Sequence, residues 1–529
     1  MSENGVNRRA FLKLSGATVA LASAGGLLTS IPASAATPAG VGRGWHRLHQ
    51  VAGFNLQNTQ GPALTTSNLI DVTSAKHAPL LRYAGGTTAN FWDWRKGWVL
   101  DDDQLPPIKP ANSVRNKKNY VPWTLEDWKL FCDQTSTQPL YDINILTATL
   151  DDQLEMLRYA RTLGLPVRYI ELGNEFYLDN YSPMVPTASG YAAKASQWAT
   201  AIKAEFPDAE IAMVGWDRNK IFPTTDRQTT WNAALRPYLE SNDALSAITV
   251  HPYTFINYIQ NQHGEIMDLS QINIRRLLAT AADASHDISD VVDNDLPAGT
   301  RVWNTEWNIV DLKYYVAASR WIHGVWTAAA AIHLLQVPQL EIALDHALYG
   351  AMTFAANHDP AYAENFYNRY GVEMNPWGLT AAGVAIQAVN TAMHGSTHYE
   401  PIQFAESQEV TVEVAGVQRT YDDLLGVRLK ASEESRGLIV NLSDQSRTVD
   451  LLSYGFGPNG RWTQHSADPS QVVANVSTDV TSSEGPVCAH VLLAPYSIAV
   501  VSGGHGHRGG RGQGHGGGHG HVGGHTGHH

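Results

Sequence analysis

Between about residues 50 and 395 the chain repeats one pattern. A short apolar run comes first, then a polar turn, then a segment with apolar positions at helical spacing. The apolar runs are Val51–Leu56, Pro79–Tyr83, Leu140–Ile145, Arg168–Leu172, Ile211–Gly215, Ala247–Val250, Arg301–Asn304 and Leu340–Leu344. Between them, Thr149–Leu163 reads as a helix, with Asp151 and Asp152 near its start and Gly164 after its end. Ser189–Phe206 reads as another, and Tyr315–Leu335 as a long Ala-rich one. Asn375-Pro376-Trp377 introduces a last helix that runs to about Met393. Eight strand-then-helix units in roughly 350 residues predict an α/β fold, a (β/α)8 TIM barrel. A doubly wound open sheet is the alternative, but no Gly-rich phosphate loop favours it.

Past residue 396 the texture changes to short strands separated by turn residues. Val410–Val414, Leu424–Leu429, Gly437–Asn441 and Val491–Val501 carry it. They predict a C-terminal all-β sandwich of about a hundred residues, whose expected role is to buttress the barrel. From Gly503 the chain is Gly and His, with eight His between His505 and His529. Such a segment has nothing to build a core with and is expected to be disordered. Its spaced imidazoles suit weak, adventitious Ni or Zn binding and no part in catalysis.

The N-terminus changes the picture of where the protein works. Arg8-Arg9 is followed by Phe11-Leu12-Lys13, a run rich in Ala, Gly and Leu to about Thr29, and small residues at Ala33-Ser34-Ala35-Ala36. This resembles a twin-arginine export signal. The expectation is an extracellular or periplasmic protein with no membrane association once the signal is removed. The expected plan is a signal peptide over 1–35, a catalytic barrel over 36–395, the sandwich over 396–503 and the tail over 504–529. A net charge of −13 argues against nucleic acid as a partner, which needs a basic footprint. The two cysteines, Cys132 and Cys488, form no metal-ligand spacing and read as unpaired buried thiols. No metal or other cofactor is expected. Fifteen Trp and 21 Tyr would suit a cleft for sugar rings, although most of them are expected to serve packing.

In a barrel of this kind the chemistry sits at the C-terminal ends of the strands. The second strand delivers Arg82 there and the fourth Asn174-Glu175. The sixth delivers His251-Pro252-Tyr253 and the seventh Glu306-Trp307. Two carboxylates can cleave a glycosidic bond by double displacement, one as nucleophile and one as acid then base. Tyr169, Phe176 and Tyr177 around Glu175 suit a carboxyl held protonated by an apolar setting. Glu171 should point away from Glu175 and reads as structural. His251 divides evenly between core histidine and substrate contact. Trp307 is a candidate cleft residue, with packing as the alternative for it and for Trp303. Asp311 and His346 receive no role.

Asn-Glu after the fourth strand and Glu after the seventh resemble clan A of the glycoside hydrolases. That resemblance implies a carbohydrate substrate, Glu175 as acid/base and Glu306 as nucleophile. It also implies Asn174 on the sugar 2-hydroxyl, Tyr253 on the nucleophile, and Arg82 keeping the nucleophile ionised. Within the clan, Glu171-Leu172-Gly173-Asn174-Glu175 and Leu81-Arg82-Tyr83-Ala84-Gly85-Gly86-Thr87 are similar to the heparanase-like family 79. So are Asn375-Pro376-Trp377-Gly378-Leu379 and Leu493-Ala494-Pro495-Tyr496-Ser497. Family 79 has Pro after the acid/base, where this chain has Phe176. Gly85-Gly86 followed by Trp92-Asp93-Trp94-Arg95, and Glu306-Trp307-Asn308, are similar to the arabinofuranosidases of family 51. The expectation is a retaining glycoside hydrolase. An arabinofuranosidase-like exo-enzyme, a transglycosylase and a non-catalytic glycan-binding protein are the alternatives.

Overall fold

Eight parallel strands close a barrel. They are β1 (Gln50–Asn55), β2 (Leu80–Tyr83), β3 (Gln138–Asp142) and β4 (Tyr169–Glu171), then β5 (Glu210–Val214), β6 (Ala247–Val250), β7 (Arg301–Trp307) and β8 (Leu340–His346). β8 pairs with β1, which completes the circle. Each apolar run of the sequence overlaps one of these strands. The coordinates are a computed structural model that describes residues 44–503, apart from 49, 57–58, 60, 116–119, 219–223, 257–267, 312–314, 352 and 433. The expected export segment 1–35 and His/Gly tail 504–529 lie outside the described residues. Among the described residues no helix is long and apolar enough to cross a membrane.

The helices begin where capping chemistry permits. The helix Leu150–Thr162 starts after Thr149, whose side chain accepts from the Asp152 N–H. Thr187 and Thr380 cap Ala188–Glu205 and Ala381–Met393 in the same way. The Ala-rich helix starts at Trp321 rather than Tyr315. Tyr315 and Ser319 have left-handed backbones (φ 54° and 58°), and Asp311 accepts from the Tyr315 and Ala317 N–H groups. Those side-chain bonds hold a loop where composition suggested helix.

Strand periodicity decides what fills the barrel. Leu80, Leu140, Tyr169, Ala212, Ala247, Trp303, Ile342 and Leu344 pack together as a buried floor. Residues two further along face the same way. On β2, β3 and β4 they are Arg82, Asp142 and Glu171, all buried. A charged layer therefore lies directly on an apolar one. β7 departs from this alternation. Asn304 is opposite Ala343 and Trp307 is opposite Asp345, so two residues of β7 face one of β8. This bulge lets Thr305 and Glu306 both reach the interior and turns Trp307 outward.

The second unit is built of β-strands apart from one four-residue helix, Val476–Asp479. Its main sheet contains β9 (Ser396–Pro401), β10 (Leu424–Ala431), β11 (Ser435–Asn441), β12 (Arg461–Ser466), β13 (Thr481–Pro486) and β14 (Ser497–Ser502), in the order β9-β10-β11-β14-β12-β13. The long apolar run 491–501 is broken at Tyr496, which has φ 48°. His46–Arg47 pairs with β9 at the sheet edge, so these residues sit with the sandwich although they precede the barrel. Trp321 ties the two units, donating from Nε1 to the Tyr496 carbonyl at 2.6 Å. Cys132 is buried as expected, but Cys488 is exposed; both are free.

Gly53 tests the barrel's packing. A Cβ there would lie 2.5 Å from Leu344 Cδ2 and 2.6 Å from the Leu80 carbonyl oxygen. Gly53→Ala is expected to lower the unfolding free energy in urea by about 1–3 kcal/mol through overpacking. Unchanged stability would contradict this close approach of β1, β2 and β8.

Candidate active site

The turn after β4 aims Glu175. Gly173 has φ 86°, and Glu175 itself is left-handed at φ 54°. A left-handed backbone is uncommon for a glutamate and costs on the order of 1 kcal/mol or more. Asn90 offsets it by clamping the preceding peptide. Its Nδ2 donates to the Asn174 carbonyl at 2.9 Å, and its Oδ1 accepts from the Asn174 N–H at 3.0 Å. The Glu175 side chain is 22 % exposed and reaches the barrel mouth.

Arg82 occupies the centre of the charged layer with its side chain fully buried. Its Nε donates to Glu171 Oε2 at 2.7 Å, its Nη1 to Glu306 Oε1 at 2.5 Å, and its Nη2 to Asn174 Oδ1 at 2.9 Å. Asp142 Oδ2 lies 3.0 Å from Nη2 without a well-aligned hydrogen bond. One cation thus faces three carboxyl groups. Burial pushes Asp142 well above the carboxylate range, with Glu171 and Glu306 adding to the rise against the pull of Arg82. A neutral Asp142 relieves the excess of negative charge.

Glu306 is fixed at both oxygens. Arg82 holds Oε1, and the Tyr253 hydroxyl donates to Oε2 at 2.6 Å. Burial works against its ionisation, but the fields of His251, His346 and Arg82 and the Tyr253 hydrogen bond overcome it. They hold the carboxyl down at about 2. His346 is itself held low by burial, so at neutral pH the permanent positive charge is that of Arg82.

Glu175, His251 and Glu306 each bring one oxygen or nitrogen to within 4.8 Å of the others. Glu175 Oε1 meets His251 Nδ1 at 3.2 Å and accepts from the Tyr177 hydroxyl at 3.2 Å. The trio has the ligand types of a metal site, but the donor set does not fit one. Both oxygens of Glu306 already accept strong hydrogen bonds, and a guanidinium 2.5 Å away repels a second cation.

Arg82, Asn174, Glu175, His251, Tyr253 and Glu306 therefore converge on one mouth. Trp307 does not. Its indole is fully buried against Trp326, with ring centroids 6.2 Å apart, because the β7 bulge turns it toward the outer helix. Trp303 fills the barrel floor edge-on to Tyr169. Glu171, which the sequence suggested to be structural, is part of the site through its bonds to Arg82 and Thr305. Asn55, Asp142, Tyr177, Thr305 and His346 also belong to it. Asn55 Nδ2 lies 2.6 Å from His346 Nδ1, which lies 4.0 Å from Glu306. All but Tyr177 sit at strand ends, where the barrel expectation alone would have found them. Among the described residues, Asn174 Nδ2 and Asn55 Oδ1 are buried without a hydrogen-bond partner.

No protein-family model matches the chain. A probable α-L-arabinofuranosidase C from Aspergillus fumigatus is 25 % identical over 166 residues, 28 % of this chain and 32 % of its own length. α-L-Arabinofuranosidase C from Emericella nidulans is 24 % identical over 267 residues, 46 % and 50 % of the two chains. The chain thus spans 32 % to 50 % of the length of these curated relatives. Among solved structures, an α-L-arabinofuranosidase from Thermotoga maritima in complex with arabinose is 15 % identical. It covers 87 % of this chain and 98 % of its own, with a TM-score of 0.58. A family 51 α-L-arabinofuranosidase from Bifidobacterium longum is 12 % identical over 87 % and 97 %, with a TM-score of 0.64. A 4-O-α-L-rhamnosyl-β-D-glucuronidase from Fusarium oxysporum is 13 % identical over 88 % and 99 %, with a TM-score of 0.54. The likeness is to clan A glycoside hydrolases with arabinofuranosidase-like features. It fixes the fold as a (β/α)8 barrel joined to a β-sandwich.

The depressed Glu306 carboxyl predicts a pH dependence of stability. A carboxylate at about 2 in the fold and 4.5 otherwise stabilises fully above pH 4.5 and loses that stabilisation as pH falls toward 2. Urea unfolding of Glu306→Gln is expected to depend less on pH across that window, by up to about 3 kcal/mol. Parallel curves for the two proteins would contradict the clamp.

Proposed function

We propose that the chain is a retaining glycoside hydrolase acting on α-L-arabinofuranosides, with Glu306 as nucleophile and Glu175 as acid/base. The observation that carries this reading is the pair of carboxylates with oxygens within 4.8 Å and opposite surroundings. A separation of about 5–5.5 Å belongs to retaining enzymes, whereas inversion needs about 6.5–9.5 Å to seat a water. Glu306 is clamped as an anion beneath the mouth. Glu175 is partly exposed and meets groups able to hold a proton. In the first step a Glu306 oxygen bonds to the anomeric carbon as the bond to the leaving oxygen breaks. The Glu175 proton goes to that oxygen. In the second, water attacks the anomeric carbon, its proton passes to Glu175, and the bond to Glu306 breaks.

The unpartnered Asn174 Nδ2 supplies a buried donor for the sugar 2-hydroxyl, which strengthens toward the transition state. Asn55 Oδ1 supplies an acceptor. The arabinofuranosidase names of the curated relatives support the pentofuranoside as substrate. The clamped nucleophile weighs against a decayed, purely glycan-binding barrel, because a buried Arg–carboxylate cluster is costly and binding alone does not require it. A transglycosylase would use the same residues and is told apart by its products with an acceptor sugar. The twin-arginine segment supports export of the folded protein to the periplasm or beyond.

The test is turnover of 4-nitrophenyl α-L-arabinofuranoside, followed by proton NMR of the first product formed. The expected product is the α anomer, and Glu306→Gln is expected to lose turnover by about 10³-fold or more. For Glu175→Ala, azide should restore turnover of this good leaving group and yield the glycosyl azide. The β anomer as first product, or near-normal activity of Glu306→Gln, would refute the assignment.

A further inference from the structure

His251 joins the two carboxylates through a line of hydrogen bonds whose polarity is determined from one end. Glu171 Oε2 accepts from Arg82. Its Oε1 accepts from the Thr305 hydroxyl at 3.1 Å, so the single Thr305 hydroxyl proton points to Glu171. Thr305 Oγ1 is then an acceptor toward His251 Nε2, 2.9 Å away. His251 Nε2 therefore carries a hydrogen. In a neutral imidazole Nδ1 is then a bare lone pair, and it faces Glu175 Oε1 at 3.2 Å. Two lone pairs facing each other there repel, so in the resting protein one proton lies between them.

We propose that Glu175 and His251 hold a single shared proton, and that Thr305 is the positioning residue that enforces this by fixing the His251 tautomer. The inference rests on the reading of Glu175 as acid/base for its catalytic meaning, but not for its geometry. The shared proton is the one delivered to the leaving oxygen. Once it has gone, the Glu175 carboxylate faces the Nδ1 lone pair, which makes it a stronger base toward the incoming water. His251 ends the cycle as it began, so the proton count balances across both steps.

The groups facing His251 agree with this. Glu175 and Glu171 come from β4 and its turn, Glu306 from β7, Arg82 from β2 and His346 from β8. The Tyr177 and Tyr253 hydroxyls donate to Glu175 and Glu306 rather than to the imidazole. Burial disfavours a charged His251, but the fields of Glu306 and Glu175 outweigh it and raise its pKa, which keeps the shared proton in place to higher pH.

The first test reads the tautomer directly. Nitrogen-15 NMR of the full chain, with the His251 signals assigned by their loss in His251→Gln, is expected to show Nε2–H with an unprotonated or proton-sharing Nδ1. A neutral Nδ1–H tautomer would overturn the proposal whatever the protein's activity. The second test is the pH profile of kcat/KM for an arabinofuranoside with a poor leaving group. Thr305→Val removes the acceptor and frees Nδ1–H to stabilise the Glu175 carboxylate. Its alkaline limb is expected to move about one unit toward acid, roughly a tenfold loss on that flank. Thr305→Ser restores the wild-type profile. A Thr305→Val profile that superimposes on wild type would also overturn the proposal. Failure of the arabinofuranosidase reading appears separately, as absence of turnover with the Nε2–H signature intact.

Discussion

One buried guanidinium organises this molecule. Arg82 has no access to water and satisfies its charge on Glu171, Glu306 and Asn174, with Asp142 alongside. Desolvating an arginine costs several kcal/mol unless its hydrogen bonds are met with good geometry. Meeting them brings the ends of β2, β3, β4 and β7 into one layer. The layer rests on the apolar floor of Leu80, Leu140, Tyr169 and Trp303, so its height in the barrel is fixed by packing. The same cation that stabilises the layer makes Glu306 an anion. Structural and electrostatic roles are here a single set of contacts.

The site is asymmetric for a physical reason. Glu306 lies among permanent donors and has nowhere to place a proton. Glu175 lies at the barrel mouth, partly open to solvent, against an imidazole and a phenol. Two carboxylates within 4.8 Å repel if both are charged, and the arrangement avoids this by loading all compensating charge on one of them. The left-handed backbone at Glu175 and the Asn90 clamp behind it hold the second carboxylate at that distance.

Much of this was legible in the chain. Eight apolar runs marked eight strands, because a barrel strand must be apolar over most of its length to be buried. Counting two positions along from Leu80 and Tyr169 leads to Arg82 and Glu171, so the charged layer follows from period alone. The same counting fails on β7. Strict alternation from Trp303 would put Thr305 and Trp307 inside and Glu306 outside. The bulge opposite Leu344 keeps Thr305 inside, brings Glu306 in beside it and turns Trp307 out, and a bulge is a property of the pairing between two strands rather than of either sequence. Of the two readings open for Trp307, cleft or packing, the bulge therefore leaves packing. The same count from Leu140 and Leu344 leads to Asp142 and His346, to which the sequence alone assigned no role. The pairing of His46–Arg47 with β9, some 350 positions away, belongs to the tertiary structure alone.

The central claim is that Glu306 bonds covalently to the sugar. The most direct measurement is mass spectrometry of the protein incubated with an activated 2-deoxy-2-fluoro-α-L-arabinofuranoside, which slows the second step more than the first. The account predicts one added fluoroarabinosyl group, located by peptide mapping on Glu306 and absent from Glu306→Gln. A label on Glu175, or steady turnover of the unfluorinated substrate with no label on any residue, would contradict it.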